Sequence, residues 1–274
     1  RILMAWSNTV SEGMLPNRFP DQGDIPEFNS VDASLWFIIA VYDYLNAASI
    51  TVSPGRNAAT KSLSGAVEQI LRGYMQGTRF GIRMDQDGLL AAGQEGTQLT
   101  WMDARCGDWV VTPRIGKPVE VQALWINALW IGSRANPDWE PVFIKARESF
   151  VQRFWNPAKT CLFDVVDSNH DPGQNDDSVR PNQILAVGGL PLNLLPVDMA
   201  KHVVQIVEDR LLTPLGLRTL EQQDSQYCGF YRGGVRERDG AYHQGTVWPW
   251  LMGPFVEAWL RVCGDSTDNR KQAS

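Results

Sequence analysis

Two stretches of the chain are apolar on almost every face that a helix would present, residues 31–45 and residues 119–130. A helix with no polar side is buried over most of its surface. Between and after them run amphipathic patterns at helical spacing: 58–76, with Leu63, Val67, Ile70, Leu71 and Tyr74, then 138–155 and 196–212. A last apolar helix follows Trp248 and ends near Gly264, and residues 2–6 read as the middle of an amphipathic helix. Asn29 or Ser30 caps the first apolar helix, and Pro118 opens the second in its first turn. Residues 82–91 read as a β-hairpin turning at Asp87-Gly88, and 161–166 as a short strand. Residues 13–28, 170–178 and 227–239 read as loops, the second exposed and mobile, and the tail from Asp265 as frayed.

This alternation of buried and half-exposed helices predicts an all-α fold. It suits an α/α toroid with an inner ring of apolar helices, an outer ring of amphipathic ones and a minor hairpin. A parallel α/β fold would need a strand before each helix, and the pattern offers one or two strands in all. No composition shift marks a linker, so residues 1–274 read as a single domain. Long polar and aromatic loops precede the apolar helices. Asp32 and Glu120 fall in the first turns of the two, where an acid complements the helix N-terminus. One such acid is a cap; two outline one rim of a pocket.

Charge and composition remove several classes of function. A formal net charge of -6 argues against nucleic acid and anionic membranes as partners. No apolar run approaches the ~20 residues that span a bilayer. Cys106, Cys161, Cys228 and Cys263 are widely separated, as are His170, His202 and His243. No metal-ligand spacing appears, and the cysteines are expected to be reduced thiols of a cytoplasmic protein. No phosphate-cradling glycine loop calls for a cofactor. The outlier is tryptophan, at 11 residues. Tryptophan in loops with acids and amides stacks on sugar rings, whose faces are apolar and whose rims are polar.

The candidate chemistry centres on residues 98–105, where Trp101 and Asp103 stand two apart after the glycine-containing run 93–96. Acids and aromatics in loops, with no nucleophilic Ser or Cys signature, favour acid/base glycoside hydrolysis. One carboxyl protonates the leaving oxygen while a second carboxylate acts at the anomeric carbon or on water.

The segments 15–21 (LPNRFPD), 29–37 (NSVDASLWF), 99–104 (LTWMDA), 118–121 (PVEV), 180–183 (RPNQ) and 242–248 (YHQGTVW) occur in this order. In order and spacing they resemble the amylo-α-1,6-glucosidase domain of glycogen debranching enzymes in its bacterial and archaeal form, nearly end to end. The resemblance implies a glucoamylase-like (α/α)6 toroid and inverting hydrolysis that releases glucose from α-1,6 branch stubs of glycogen or limit dextrin. It implies Asp103 as the general acid, kept protonated near neutral pH by burial against Trp101 and nearby carboxylates. It assigns sugar-binding roles to Asp32, Trp101, Glu120, Arg180, Asn182, His243, Gln244 and Trp248. Three of them have a plainer alternative: Trp248 as core, Arg180 as a bridge between loop carbonyls, Glu120 as an acid that positions Asp103.

Two departures qualify the resemblance. The eukaryotic branch carries a glutamate, a candidate general base, shortly after His-Gln-Gly; here those positions are Thr246 and Val247. The base is expected in a glutamate-bearing loop beyond Ser274. The chain also begins inside an element, at Arg1, after the family's Gly-Arg-Asp loop, and is expected to be a fragment incomplete at both ends. Competing functions are a toroid glycosidase of another linkage, glucoamylase- or trehalase-like, and a non-catalytic glucan-binding protein.

Overall fold

The computed structural model describes residues 1–18, 25–48 and 56–272. Helices dominate: α1 (Ile2–Ser7), α2 (Asp32–Ala48), α3 (Arg56–Gln76), α4 (Val119–Ser133), α5 (Glu140–Phe154), α6 (Val197–Leu211), α7 (Val235–Tyr242), α8 (Met252–Cys263) and α9 (Thr267–Gln272). The strands among the described residues are two or three residues long and staple loops rather than forming a layer. The fold is mostly α, as the sequence pattern predicts. Residues 19–21 of the first motif lie outside the described residues.

The two helices apolar all round are the inner ones. Along α4 the run 119–129 is buried without interruption, Glu120, Gln122 and Asn127 included. Helix α2 packs on α4, while α3 and α5 cover them from outside. The buried amide side chains of α4 are hydrogen-bonded, as burial demands. The Gln122 amide exchanges hydrogen bonds with the Leu90 backbone (2.8 Å each), and Trp125 Nε1 donates to the Gly88 carbonyl (3.0 Å). These bonds clamp the 83–91 hairpin onto α4, its turn carried by Gly88 at φ 82°.

What positions the site is a closed excursion of the chain between the hairpin and α4. Ala92 and Gly116 exchange backbone hydrogen bonds of 2.8 and 2.9 Å, pinching its stem. Inside it, Arg105–Cys106 pairs antiparallel with Trp109–Val110 as a small hairpin. The far end of the excursion is tied to α2: Val31 donates to the Leu99 carbonyl at 2.8 Å. The N-termini of both inner helices are thereby brought to one loop.

Other expectations are corrected. The 227–239 loop ends in α7, and the tail forms α9, capped by Ser266 Oγ accepting from Asn269 N (3.1 Å). The expected strand 161–166 divides: Cys161–Leu162 pairs with Trp155–Asn156, and Val165–Val166 with Lys117–Pro118. The polar 170–178 loop, expected to be mobile, is anchored. His170 Nε2 lies 2.8 Å from the Gly93 carbonyl, and Asp167 accepts from Gly173 N (2.9 Å) while pairing with Lys117 and Arg153. Apolar residues 184–187 fall in and after a 3-10 turn, Pro181–Ala186, buried beside α4.

Candidate active site

Asp32, Trp101 and Asp103 line one cavity of about 530 Å³, with Asn17, Trp36 and Trp250 completing its walls. That volume lies within the range of small-ligand pockets. Each acid reaches it for a local reason. Ser30 caps α2: its hydroxyl accepts from Ala33 N (3.1 Å) and donates to Asp32 Oδ1 (2.5 Å). The Asp32 carboxylate also accepts from the backbone N–H of Trp101, which fixes it against the central loop. Burial is the largest influence on it and raises its pKa above 3.8, outweighing the donors around it.

Asp103 is placed differently from the expectation. Its side chain is 63% exposed, and the burial against Trp101 and neighbouring carboxylates anticipated from sequence is not found. Burial alternates along residues 102–104 as the chain enters the 105–110 hairpin. Met102 and Ala104 turn inward, 1% and 8% exposed, and Asp103 turns out into the cavity. Its ionisable neighbour is His243, whose Nε2 lies 3.7 Å from Asp103 Oδ1.

Trp101 is the hub of an aromatic cluster. Its ring meets Trp250, His243 and Trp248 edge to face, at 5.0, 5.2 and 6.1 Å between centroids. Trp248 stacks on His243 at 5.7 Å and donates its Nε1 to the Tyr242 carbonyl (3.1 Å). Trp248 therefore backs Trp101 rather than lining the cavity. His243 is 1% exposed, and neither ring nitrogen has a hydrogen-bond partner. Burial lowers its pKa below 6.5, against the opposing pull of Asp103.

Beneath Trp101 lies a buried polar network. Trp101 Nε1 donates to Asn182 Oδ1 (2.9 Å), and Asn182 Nδ2 donates to Asp164 Oδ1 (2.9 Å). Arg114 bridges Asp164 and Glu120, with ion pairs to both. Glu120 belongs to this network rather than to the cavity wall. Burial, reinforced by the Asp164 charge, pushes its carboxyl up to about 7 despite Arg114. Arg180 holds the frame of the site: Nη1 donates to the carbonyls of Thr219 (3.0 Å) and His243 (2.7 Å), and Nη2 to Gln244 Oε1 (2.7 Å). Gln244 in turn reaches Gln226 Oε1 (3.0 Å). The bridging alternative describes the contacts of Arg180.

Sequence reasoning missed Trp36, Trp250, Arg114 and Asp164. Two of them carried a signal. Trp36 is four residues after Asp32 on the same helix, hence on the same face. Trp250 follows Trp248 by two, in a segment that is extended at Val247–Trp248. Arg114 and Asp164 had none, because their partners are distant in sequence. No group of three or more His, Cys, Asp or Glu among the described residues has metal-binding geometry.

A mostly helical chain with an acid- and tryptophan-lined cavity at the start of a buried helix has the features of a saccharide-processing protein. The comparisons narrow the class. The family model for amylo-α-1,6-glucosidase matches residues 1–274, and the chain belongs to that family. The glycogen debranching enzyme of Saccharomyces cerevisiae is 24% identical over 347 aligned residues, covering 93% of this chain. The chain spans 22% of that enzyme's length. Among solved structures, a rhamnosidase from Klebsiella oxytoca with rhamnose bound aligns at a TM-score of 0.46 and 14% identity, over 72% of this chain and 34% of that one. Membership places the chain among glycoside hydrolase-related proteins.

Proposed function

We propose that this chain supplies the general acid, Asp103, for hydrolysis of α-1,6 branch linkages of glycogen or limit dextrin. One observation carries the reading: Asp103, Asp32 and Trp101 share a tryptophan-walled cavity of about 530 Å³. In the reaction, Asp103 gives its proton to the glycosidic oxygen as the bond from that oxygen to the anomeric carbon breaks. Water adds to the opposite face of the anomeric carbon, passing a proton to a second carboxylate that acts as general base, and glucose leaves with inverted configuration. A sugar seated in the cavity covers the exposed Asp103 side chain and supplies desolvation that the free site lacks. Asp32, held by Ser30 and the Trp101 backbone, accepts from sugar hydroxyls, while Trp101, Trp250 and Trp36 offer ring faces. Thr246 and Val247 bear no carboxylate, so neither is the base.

A cytoplasmic location fits this reading, supported by four cysteines that are all free thiols. No helix among the described residues is long and apolar enough to cross a membrane. The test is glucose release from a phosphorylase limit dextrin by the naturally encoded protein, with Asp103→Asn alongside. Release abolished by the substitution is the expected result. Activity on α-1,4 dextrins or trehalose, with none on limit dextrin, would replace the linkage assignment.

A further inference from the structure

We propose that Asp164 is a positioning residue for this site, holding Trp101 in place through Asn182; the proposal rests on the glycosidase reading above. Asp164 is brought here by backbone bonds. Its carbonyl accepts from Val119 N at the start of α4 (2.9 Å), and its own N–H donates to the Asp176 carbonyl (2.9 Å). That seats its carboxylate, 3% exposed, beside Arg114, with Arg180 Nε at 3.6 Å.

The direction of the chain of hydrogen bonds follows from donor and acceptor chemistry. An ionised carboxylate only accepts, and an indole N–H only donates. Asn182, fully buried between them, therefore has one satisfactory orientation: Nδ2 toward Asp164 and Oδ1 toward Trp101. In Asp164→Asn the one remaining oxygen is taken by the Arg114 guanidinium, which turns the new amide N–H toward Asn182 Nδ2. Asn182 then meets a donor with a donor at one end, either at position 164 or, turned over, at Trp101 Nε1. Trp101 forms the cavity wall two residues before Asp103 and packs on both His243 and Trp250. A misplaced indole moves the reacting loop, and displacements near 1 Å cost on the order of 100-fold in rate.

The test uses the naturally encoded protein labelled with 5-fluorotryptophan, with the Trp101 19F resonance assigned by Trp101→Phe. Asp164→Asn is expected to shift or broaden that resonance and to lower kcat on limit dextrin by about 10- to 100-fold. The exchange variant, Asp164→Asn with Asn182→Asp, restores an acceptor for the indole and a donor for the new carboxylate. It is expected to return the resonance and to recover kcat to within about threefold of the parent; a merely structural role would not produce this recovery. If Asp164→Asn fails to fold, Asn182→Ala removes the acceptor while leaving the Asp164–Arg114 pair, and predicts the same shift and loss. An unmoved Trp101 resonance with unchanged kcat in a folded Asp164→Asn or Asn182→Ala protein overturns the proposal. Absence of glucose release from the parent overturns the functional reading instead, and the resonance still decides whether Asp164 orders Trp101.

Discussion

His243 Nε2 stands 3.7 Å from the Asp103 carboxylate, with His243 sealed at 1% exposure and Asp103 open at 63%. The imidazole is packed by Trp101, Tyr242 and Trp248, and the charged groups acting on it are Asp103, Arg180 and Arg114. Desolvation and the two guanidinium charges keep the ring neutral, while Asp103 favours its proton. A neutral ring with no other partner can offer Nε2–H to the Asp103 carboxylate.

This environment has a consequence for stability. The folded-state pKa of His243 lies below its ordinary value of 6.5, so the unfolded chain binds more protons in the interval beneath 6.5. His243 therefore costs stability as pH falls from 6.5 toward the folded pKa, at up to about 1.4 kcal/mol per pH unit. Denaturant unfolding of the parent and His243→Phe across pH 7.5 to 5 should show the parent losing ground to the variant on acidification. A constant difference would mean that the ring binds its proton equally in the folded and unfolded protein.

Glu120 gives the opposite slope. Its carboxyl is raised from 4.5 to about 7, so the folded protein binds the extra proton between those values. The contribution is intact below 4.5 and is lost as pH rises through about 7. Glu120→Gln keeps the shape without the titration. The stability of the parent minus that of the variant should decline from pH 4.5 to 7, again by at most about 1.4 kcal/mol per pH unit. A difference that grows with pH would show Glu120 to be ionised throughout by Arg114.

Asp103 separates activity from stability. Because its side chain faces solvent, Asp103→Asn should change unfolding free energy by no more than about 0.5 kcal/mol. Loss of the acid should reduce glucose release by roughly 100- to 10,000-fold. Matched melting curves with full activity would move the acid to another residue.

Trp250, 39% exposed, packs its ring on Trp101 at the cavity mouth. Trp250→Ala should weaken oligosaccharide binding by roughly tenfold, about 1.4 kcal/mol, without a comparable loss of stability. Calorimetric titration with a branched oligosaccharide measures the first, and thermal unfolding the second. Unchanged affinity would remove Trp250 from the binding surface.

Gly73 sets helix propensity against packing. In the interior of α3 an alanine would gain about 1 kcal/mol by propensity alone. Here a Cβ would sit 2.6 Å from the Gly13 Cα, in backbone that has no room to yield. Gly73→Ala should therefore destabilise, by about 1–3 kcal/mol. A raised melting temperature would show that the 11–14 turn moves aside freely.

The sequence by itself determined the longer helices and which of them are inner. The apolar all-round runs of α2 and α4, the amphipathic faces of α3, α5 and α6, and the Asp87-Gly88 turn are patterns over a few residues, and a few residues carry the signal. Of the residues the motifs singled out, Asp32, Trp101 and Asp103 line one cavity, whereas Glu120, expected on the same rim as Asp32, does not. Tertiary structure alone decided the environments of the acids. Arg114 meets Asp164 across 50 positions and Trp101 meets Asn182 across 81, and no local period encodes such pairs. The same holds for the openness of Asp103 and the burial of His243. Burial depends on which distant segments cover a side chain, so an acid expected to be enclosed stands open and a histidine assigned to sugar is sealed behind it.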